Sequence, residues 1–179
     1  MKKILAFAGS NHKTSINYQL IEFTTSLLPN FEVKVLDIRD WEVPLYSINM
    51  DPDQTPEQIT TLIGLIEEYD GFIIASPEHN GGTPAFFKNI LDWLSRRAKN
   101  VFDKKPLFLM STSPGGKGGS TNLKFLIHTL PYQGATIGAT YSLPSFFDNF
   151  KEGKVVAGDY LGQLQESIGE FKEAVNGKW

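Results

Sequence analysis

The pattern that the rest of the chain repeats is first seen in KILAFAGSNHKTSINYQLIEFTTSLL (residues 3–28), where one polar loop joins two different hydrophobic periods. Residues 3–8 form a short, nearly continuous apolar run, which is typical of a β-strand buried on both faces. After the loop over residues 9–15, apolar side chains recur at the spacing of an amphipathic helix: Ile16, Leu20, Phe23 and Leu27. The stretch therefore predicts a strand, a loop and a helix.

The same alternation continues along the chain. Four further strands are predicted, over residues 31–38, 71–76, 106–111 and 134–143. Four further helices are predicted, beginning at Thr55-Pro56, at Thr83-Pro84 and after the glycine-rich segment 113–120, and lying over 160–175. A long irregular loop is predicted at 39–54. Alternation of five strands with five helices predicts a parallel sheet covered on both faces, in a single α/β domain over residues 1–179.

Composition and charge limit the classes of function that these residues can perform. The formal net charge is −3 and the basic residues are scattered, so we expect no nucleic-acid partner. No apolar run reaches the length of about 18 residues that a membrane span needs, so we expect no membrane partner. The sequence contains no cysteine, which excludes disulfides, thiol catalysis and iron–sulfur or zinc–thiolate sites in these 179 residues. Any redox chemistry must therefore come from a bound cofactor.

Three unusual loops follow the first, third and fourth predicted strands, over residues 9–15, 77–82 and 113–119. Ligands of open parallel sheets bind beyond the carboxyl ends of the strands, so these loops are expected to form one site. In the first loop, hydroxyl groups beside a helix N-terminus suit a phosphate group. Capping of the helix by Thr14 or Ser15 explains the same residues equally well. Neither the lysine-bearing P-loop motif nor G-x-G-x-x-G is present.

The other two loops favour a flat ligand. Pro77 stiffens the exit from the third strand, glycines 81 and 82 allow a close approach to the backbone, and residues 78–80 offer polar edges. His79 is equally consistent with an ordinary exposed loop residue, because nothing in the loop supplies the partners of a catalytic triad. The third loop has four glycines within residues 115–119, which indicates close ligand approach or a movable edge, with a flexible surface turn as the alternative.

Three segments together resemble the NAD(P)H-dependent FMN reductase family of the flavodoxin superfamily, which includes quinone, azo-dye and chromate reductases. They are GSNHKTSIN (9–17), PEHNGGTPAFFKNILDW (77–93) and SPGGKGG (113–119). The resemblance implies a flavodoxin-like three-layer sandwich with a five-stranded parallel sheet of order 2-1-3-4-5. It also implies an FMN cofactor that passes hydride through flavin N5, from NADPH or NADH to a small acceptor such as free flavin, a quinone or an azo dye.

The resemblance also assigns residues to the FMN site. In the family, the first segment holds the phosphate and the other two lie along the flavin ring. By position, the implied FMN-binding residues are Ser10, His12, Ser15, Ile16, Asn17, Pro77, Glu78, His79, Asn80, Gly81, Ser113, Pro114, Gly115 and Gly116. His12 stands where the family usually has arginine, and His79 where it usually has tyrosine. Because the flavin carries the chemistry, no catalytic side chain and no metal ligand is implied.

The resemblance further implies a cytoplasmic protein that forms a homodimer or homotetramer. Candidate subunit contacts are the aromatic residues of the helix at 84–97 and of SFFDNF (145–150), with core packing as the alternative for Phe146 and Phe147. Two other classes of function stay open. One is a flavodoxin-like carrier of single electrons, although the Thr-Gly pair and strongly acidic surface usual in flavodoxins are missing. The other is a degenerate member that no longer holds FMN.

Overall fold

A five-stranded parallel sheet forms the centre of the protein, in a computed structural model that describes residues 1–50 and 54–177. The strands are β1 (Lys3–Ala8), β2 (Glu32–Val35), β3 (Gly71–Ala75), β4 (Pro106–Thr112) and β5 (Thr136–Leu143). Their order is β2-β1-β3-β4-β5, and every pairing is parallel. The predicted sheet and its strand order are confirmed.

Helices cover both faces of this sheet. They are α1 (Ile16–Ser26), α2 (Glu57–Glu68), α3 (Ala85–Arg97), α4 (Ser120–Thr129), α5 (Phe146–Asn149) and α6 (Gly158–Val175). Because successive side chains of a strand point to opposite faces, β1 sends Leu5 and Phe7 into one core cluster and Ile4 and Ala6 into another. Helices α2, α3 and α4 pack into the first cluster, and α1 and α6 into the second. Within the described residues, no helix is long and apolar enough to cross a membrane.

The segment between β5 and α6 contains structure that the sequence pattern did not predict. The four-residue helix α5 leads into an antiparallel hairpin of β6 (Phe150–Lys151) and β7 (Lys154–Val155). Elements this short show no hydrophobic period, so a prediction of five strands and five helices misses them.

Boundaries of the predicted elements shift by a few residues. Strand β2 ends at Val35 rather than at residue 38. Helices α2 and α3 begin one residue after the prolines that were expected at their first position. The loop predicted at 39–54 contains a 3-10 turn at Ile48–Met50. Residues 51–53 of that loop, including Pro52, lie outside the described residues.

Most of the aromatic residues considered for a subunit contact lie in the core instead. Phe87 and Trp93 of α3 are 0% exposed, and Phe146 of α5 is 3% exposed. Gly9, directly after β1, leaves room for the Phe87 ring, because a Cβ at Gly9 would lie 2.4 Å from Phe87 Cγ. Core packing therefore explains these three aromatic residues. Phe147, by contrast, is 60% exposed.

Candidate functional site at the carboxyl edge of the sheet

The loops after β1, β3 and β4 meet in one cavity of about 490 Å³ at the carboxyl edge of the sheet. Small-molecule sites usually have volumes of about 300 to 1,000 Å³. The residues that line the cavity come from all three loops and from α5: Ser10, Asn11, His12, Thr14, Ser15, Ile16, Asn17, Pro77, Glu78, His79, Thr112, Ser113, Pro114 and Phe147. The structure thus brings together the three loops that the sequence singled out.

The remaining residues that were predicted for the site do not line this cavity: Asn80, Gly81, Gly115 and Gly116. His79 and Gly82 pair through both backbone amides, at 2.9 and 3.0 Å, so that Asn80 and Gly81 form the tip of a tight turn. Both tip residues have positive φ, 52° and 78°, which the Asn-Gly pair adopts readily. Glycines 115 and 116 lie at an open edge, where an added Cβ would meet nothing within 4 Å. Their assignment to the cofactor stays a prediction.

The first loop presents hydroxyl groups, an imidazole and backbone amides in a small volume. Ser15 caps α1, because its Oγ accepts a hydrogen bond from the Tyr18 amide at 3.2 Å. The amides of Ile16 and Asn17 precede the first intrahelical bond and have no acceptor among the described residues. Thr14 Oγ1 lies 3.2 Å from Nδ1 of the His12 ring. Helix capping and anion binding are therefore compatible here, because the Ser15 oxygen accepts from the Tyr18 amide while its hydroxyl hydrogen and the amides of Ile16 and Asn17 can donate to an anion.

Arg39, in the segment after β2, contacts the first loop from the neighbouring strand. Its Nη1 donates to the Lys13 carbonyl oxygen at 2.6 Å, and its Nε and Nη2 donate to the Asp37 carboxylate at 2.8 and 2.6 Å. The guanidinium also lies 4.1 Å from the centroid of the Tyr18 ring. Hydrogen bonding from Arg39 holds the pKa of Asp37 below its ordinary value. A permanent cation thus supports the backbone of this loop.

Asn17 connects the first loop to the end of β4. Its Nδ2 donates to the Thr112 carbonyl oxygen at 3.1 Å, and the Thr112 amide donates to Asn17 Oδ1 at 3.0 Å. Asn17 and Thr112 are each only 1% exposed, so both hydrogen bonds are shielded from water. The side chain that was predicted to bind the cofactor therefore lines the cavity and also fixes the spacing between two of its loops.

Glu78 connects the second loop to the N-terminus of α4. Its Oε2 accepts hydrogen bonds from the amides of Thr121 and Asn122, at 2.9 and 3.0 Å, where a carboxylate also complements the helix dipole. The Asn122 side chain donates in turn to the Pro77 carbonyl oxygen at 2.8 Å and to Ser76 Oγ at 2.9 Å. Asn122 is 0% exposed. The Glu78 carboxylate, which was expected to face a ligand, thus caps α4 and holds the second loop in place.

Several residues that line the cavity were not among those that the resemblance assigned to the cofactor. Asn11 and Thr14 lie inside the predicted first loop, so their position alone could have included them. Thr112 is the last residue of β4, and it could have been predicted because ligands of parallel sheets bind at the carboxyl ends of the strands. Phe147 follows β5, where no specialised loop was recognised, and only the folded chain brings it to the cavity.

Comparisons with known proteins agree with this architecture. The model of the family described as NADPH-dependent FMN reductase matches residues 2–148. An NAD(P)H-dependent FMN reductase of Schizosaccharomyces pombe is 30% identical, over 80% of this chain and 74% of its own. The quinone reductase of Escherichia coli strain K12 is 28% identical, over 86% of this chain and 80% of its own.

Among solved structures, FerB, a flavoenzyme NAD(P)H:(acceptor) oxidoreductase from Paracoccus denitrificans, superposes with a TM-score of 0.82. The two chains are 26% identical, and the match covers 99% of each. The family match spans the central sheet and all three loops of the cavity. The chain belongs to the NADPH-dependent FMN reductase family.

Proposed function

We propose that the cavity at the carboxyl edge of the sheet is the FMN site of an NAD(P)H-dependent reductase whose acceptor is a quinone or a free flavin. The observation that carries this proposal is the meeting, in one cavity, of a hydroxyl-rich helix N-terminus with two loops that carry rigid prolines. Family membership supports FMN as the cofactor and NADPH or NADH as the reductant. The quinone reductase among the relatives supports the class of acceptor.

The donor set of the first loop fits the phosphate of FMN. The hydroxyl groups of Ser10, Thr14 and Ser15 and the amides of residues 16 and 17 would hold the phosphate oxygens, where the positive end of the α1 dipole favours an anion. His12 adds an imidazole that can carry a positive charge, without the permanent fork of an arginine. The flat faces of Pro77 and Pro114 offer apolar walls for the ring.

When bound, FMN supplies the atom that accepts and then donates the hydride, so the chain needs no acid–base residue for that transfer. What the chain contributes is orientation. Two contacts keep the three loops at fixed positions. Asn17 pairs with Thr112, and Glu78 caps α4. A flavin held rigidly in this way would offer the same face of its ring first to the reductant and then to the acceptor.

Asn11→Asp tests the position of the phosphate, because Asn11 is exposed, lines the cavity and can gain a negative charge with almost no change in shape. Repulsion between like charges about 4 Å apart costs roughly 1 kcal/mol in water and more when water is partly excluded. We therefore expect FMN to bind at least about fivefold more weakly in titrations of flavin fluorescence.

Two controls make this test specific. Riboflavin, which lacks the phosphate, should bind the variant and the parent equally well. Asn30→Asp, at an exposed position before β2 on the opposite edge of the sheet, should leave FMN affinity unchanged. Equal losses for FMN and riboflavin, or no loss for either, would show that the phosphate lies elsewhere.

We also propose that the protein acts as a cytoplasmic homodimer or homotetramer. Phe125 of α4 and Tyr132 in the turn that follows are 44% and 78% exposed, and such apolar surface suits a contact between subunits. Light scattering after size-exclusion chromatography should give two or four times the chain mass of 20.0 kDa. A mass of one chain at micromolar concentration would contradict the proposal, and cell fractionation tests the location.

A further inference from the structure

Phe147 is an exposed aromatic residue on the wall of the cavity, contributed by a segment outside the three loops discussed above. Its side chain is 60% exposed, whereas the adjacent Phe146 is 3% exposed. Large apolar side chains are usually buried when the fold allows it, and the neighbouring residue shows that burial is available here. Phe147 packs edge-to-face on Phe146 and otherwise offers an exposed aromatic surface to any molecule that enters the cavity.

The backbone around Phe147 is bound to the third loop. The Ser145 amide donates to the Gly115 carbonyl oxygen at 2.9 Å, and the Phe146 amide donates to the Ser113 carbonyl oxygen at 3.0 Å. The third loop also packs tightly on the end of β5, since a Cβ at Gly118 would lie 2.9 Å from the backbone nitrogen of the proline at 144. The two segments thus form one unit, and Phe147 is held beside Ser113 at the cavity.

The orientation of this segment is fixed from both sides. Ser145 has φ 45° and ψ 55°, a left-handed conformation that is rare for residues other than glycine, asparagine and aspartate. Such conformations persist where the surrounding structure enforces them, and they cluster at functional sites. On the other side, the Phe146 ring stacks on Phe150, with centroids 4.6 Å apart. The sharp turn therefore places one phenylalanine in the core and leaves the next, Phe147, at the cavity.

We infer that Phe147 binds the planar electron acceptor at the mouth of the cavity and so favours aromatic and quinone-type acceptors over compact ones. The inference rests on the proposed function, which places the flavin ring beside the second and third loops. Ser10 and Ser15, which are proposed to hold the cofactor phosphate, are buried, whereas Phe147 is exposed, so a reactant that enters and leaves the cavity can contact its ring. Contact between aromatic rings changes affinity by about two- to tenfold beyond the area that it buries.

Phe147→Ala tests this inference in the FMN-loaded enzyme with NADH at saturating concentration. We expect the KM for a benzoquinone to rise about two- to tenfold. The KM for ferricyanide, a compact acceptor without a ring, should stay within about twofold, and so should the dissociation constant of FMN measured by flavin fluorescence. Phe147→Tyr keeps an aromatic ring and should behave like the parent enzyme. Leu45→Ala removes another exposed apolar side chain, outside the cavity, and should change none of these values.

Three results would overturn the inference: no change for either acceptor, an equal change for both acceptors, or a loss of FMN affinity as the main effect. The last result would mean that Phe147 holds the cofactor or the fold instead of the acceptor. Because Phe147 is largely exposed, thermal unfolding of the variant should match that of the parent. Failure of the proposed function is distinguishable, since the parent protein itself would then show no FMN binding or no oxidation of NADH and NADPH.

Discussion

His12 is the residue at which the first loop departs most from the pattern of its family. The chain keeps the hydroxyl residues of the loop but has an imidazole in place of the permanently charged fork that an arginine provides. In the structure, the imidazole lies in the cavity lining with Nδ1 3.2 Å from Thr14 Oγ1. The other ring nitrogen therefore remains available to a ligand.

This arrangement predicts that His12→Arg strengthens the binding of FMN. A guanidinium carries a permanent charge and can donate two parallel hydrogen bonds to a phosphate group, which an imidazole cannot. A charge pair about 4 Å apart contributes roughly 1 kcal/mol or more, which is about fivefold in affinity. We therefore expect FMN to bind the variant about fivefold more tightly than the parent protein.

Titrations of flavin fluorescence at one fixed pH measure the dissociation constants of the two proteins. His12→Gln, which carries no charge, should bind FMN no more tightly than the parent protein. Equal dissociation constants for the parent and His12→Arg would mean that the side chain of residue 12 does not contact the phosphate.

Gly9 and Gly64 show how the same substitution can have opposite effects on stability. At Gly9, a Cβ would lie 2.4 Å from Cγ of Phe87, a ring that is 0% exposed and has no room to move. At Gly64, inside α2, a Cβ would meet nothing within 4 Å. The first glycine is required by packing, and the second only weakens its helix.

We expect Gly9→Ala to lower the free energy of unfolding by about 1 to 3 kcal/mol, the usual cost of overpacking a core. Gly64→Ala should raise it by about 0.5 to 1 kcal/mol, because alanine favours the helix and has a smaller backbone entropy to lose. Urea unfolding of the two variants and the parent measures both values. Destabilisation by Gly64→Ala, or tolerance of Gly9→Ala, would show that the packing at that site differs from this description.

At the scale of elements, the contacts that hold the cavity together join segments far apart in the sequence. Asn17 and Thr112, which join α1 to β4, are separated by 95 positions, and Glu78 and Asn122, which join the second loop to α4, by 44. Each pair satisfies backbone groups at the end of a strand or a helix, where the regular hydrogen-bond pattern stops. The loops of the site therefore depend on their neighbours for their conformation.

Asn17→Ala should reveal this dependence. The change leaves the amide and the carbonyl group of Thr112 buried without partners, which costs about 1 to 3 kcal/mol for each group. We expect the free energy of unfolding to fall by about 2 kcal/mol or more, and FMN affinity to fall as the first loop shifts. Asn176→Ala is the matched control, because the Asn176 side chain donates to the Lys172 carbonyl oxygen at 2.8 Å on the exposed end of α6. Urea unfolding should find its effect below about 0.5 kcal/mol, and equal effects would contradict the argument.

Long elements could be predicted from the sequence, whereas short ones could not. The five central strands and the five long helices have runs of apolar residues long enough to show a period, and each of them is present. Helix α5 and the hairpin of β6 and β7 have no such run, and they were missed. Because α5 was not predicted, Phe147, which α5 places in the lining of the cavity, was not predicted as a site residue either.

For the molecule as a whole, the family and the cavity indicate a protein that binds FMN and whose folded state FMN stabilises. A quinone reductase and an NAD(P)H-dependent FMN reductase match 86% and 80% of the chain, so the comparisons do not favour the non-catalytic electron carrier that the sequence left open. Ligand binding to the folded state alone stabilises it by mass action.

We therefore expect FMN to raise the melting temperature. At a free concentration of 100 times the dissociation constant, the gain is about 2.7 kcal/mol, and a chain of this size gains about 2 to 4 °C for each kcal/mol. A rise of about 5 to 10 °C is the expected result when unfolding is followed by circular dichroism. Dialysis against buffer without FMN should reverse it, and an unchanged melting temperature at saturating FMN would rule out binding to the folded state. Riboflavin at the same concentration serves as the control for the phosphate.

Local patterns in the sequence were enough to predict an α/β chain with a parallel sheet, because hydrophobic period is a property of neighbouring residues. The same patterns located the three loops, since parallel strands bring their carboxyl ends to one edge. The strand order came from the resemblance to a family. The contacts of Asn17 and Glu78 and the position of Phe147 at the cavity could not be obtained in this way. They depend on which distant backbone groups lie within hydrogen-bonding distance and on which of two adjacent phenylalanines turns inward, and those are properties of the packed chain.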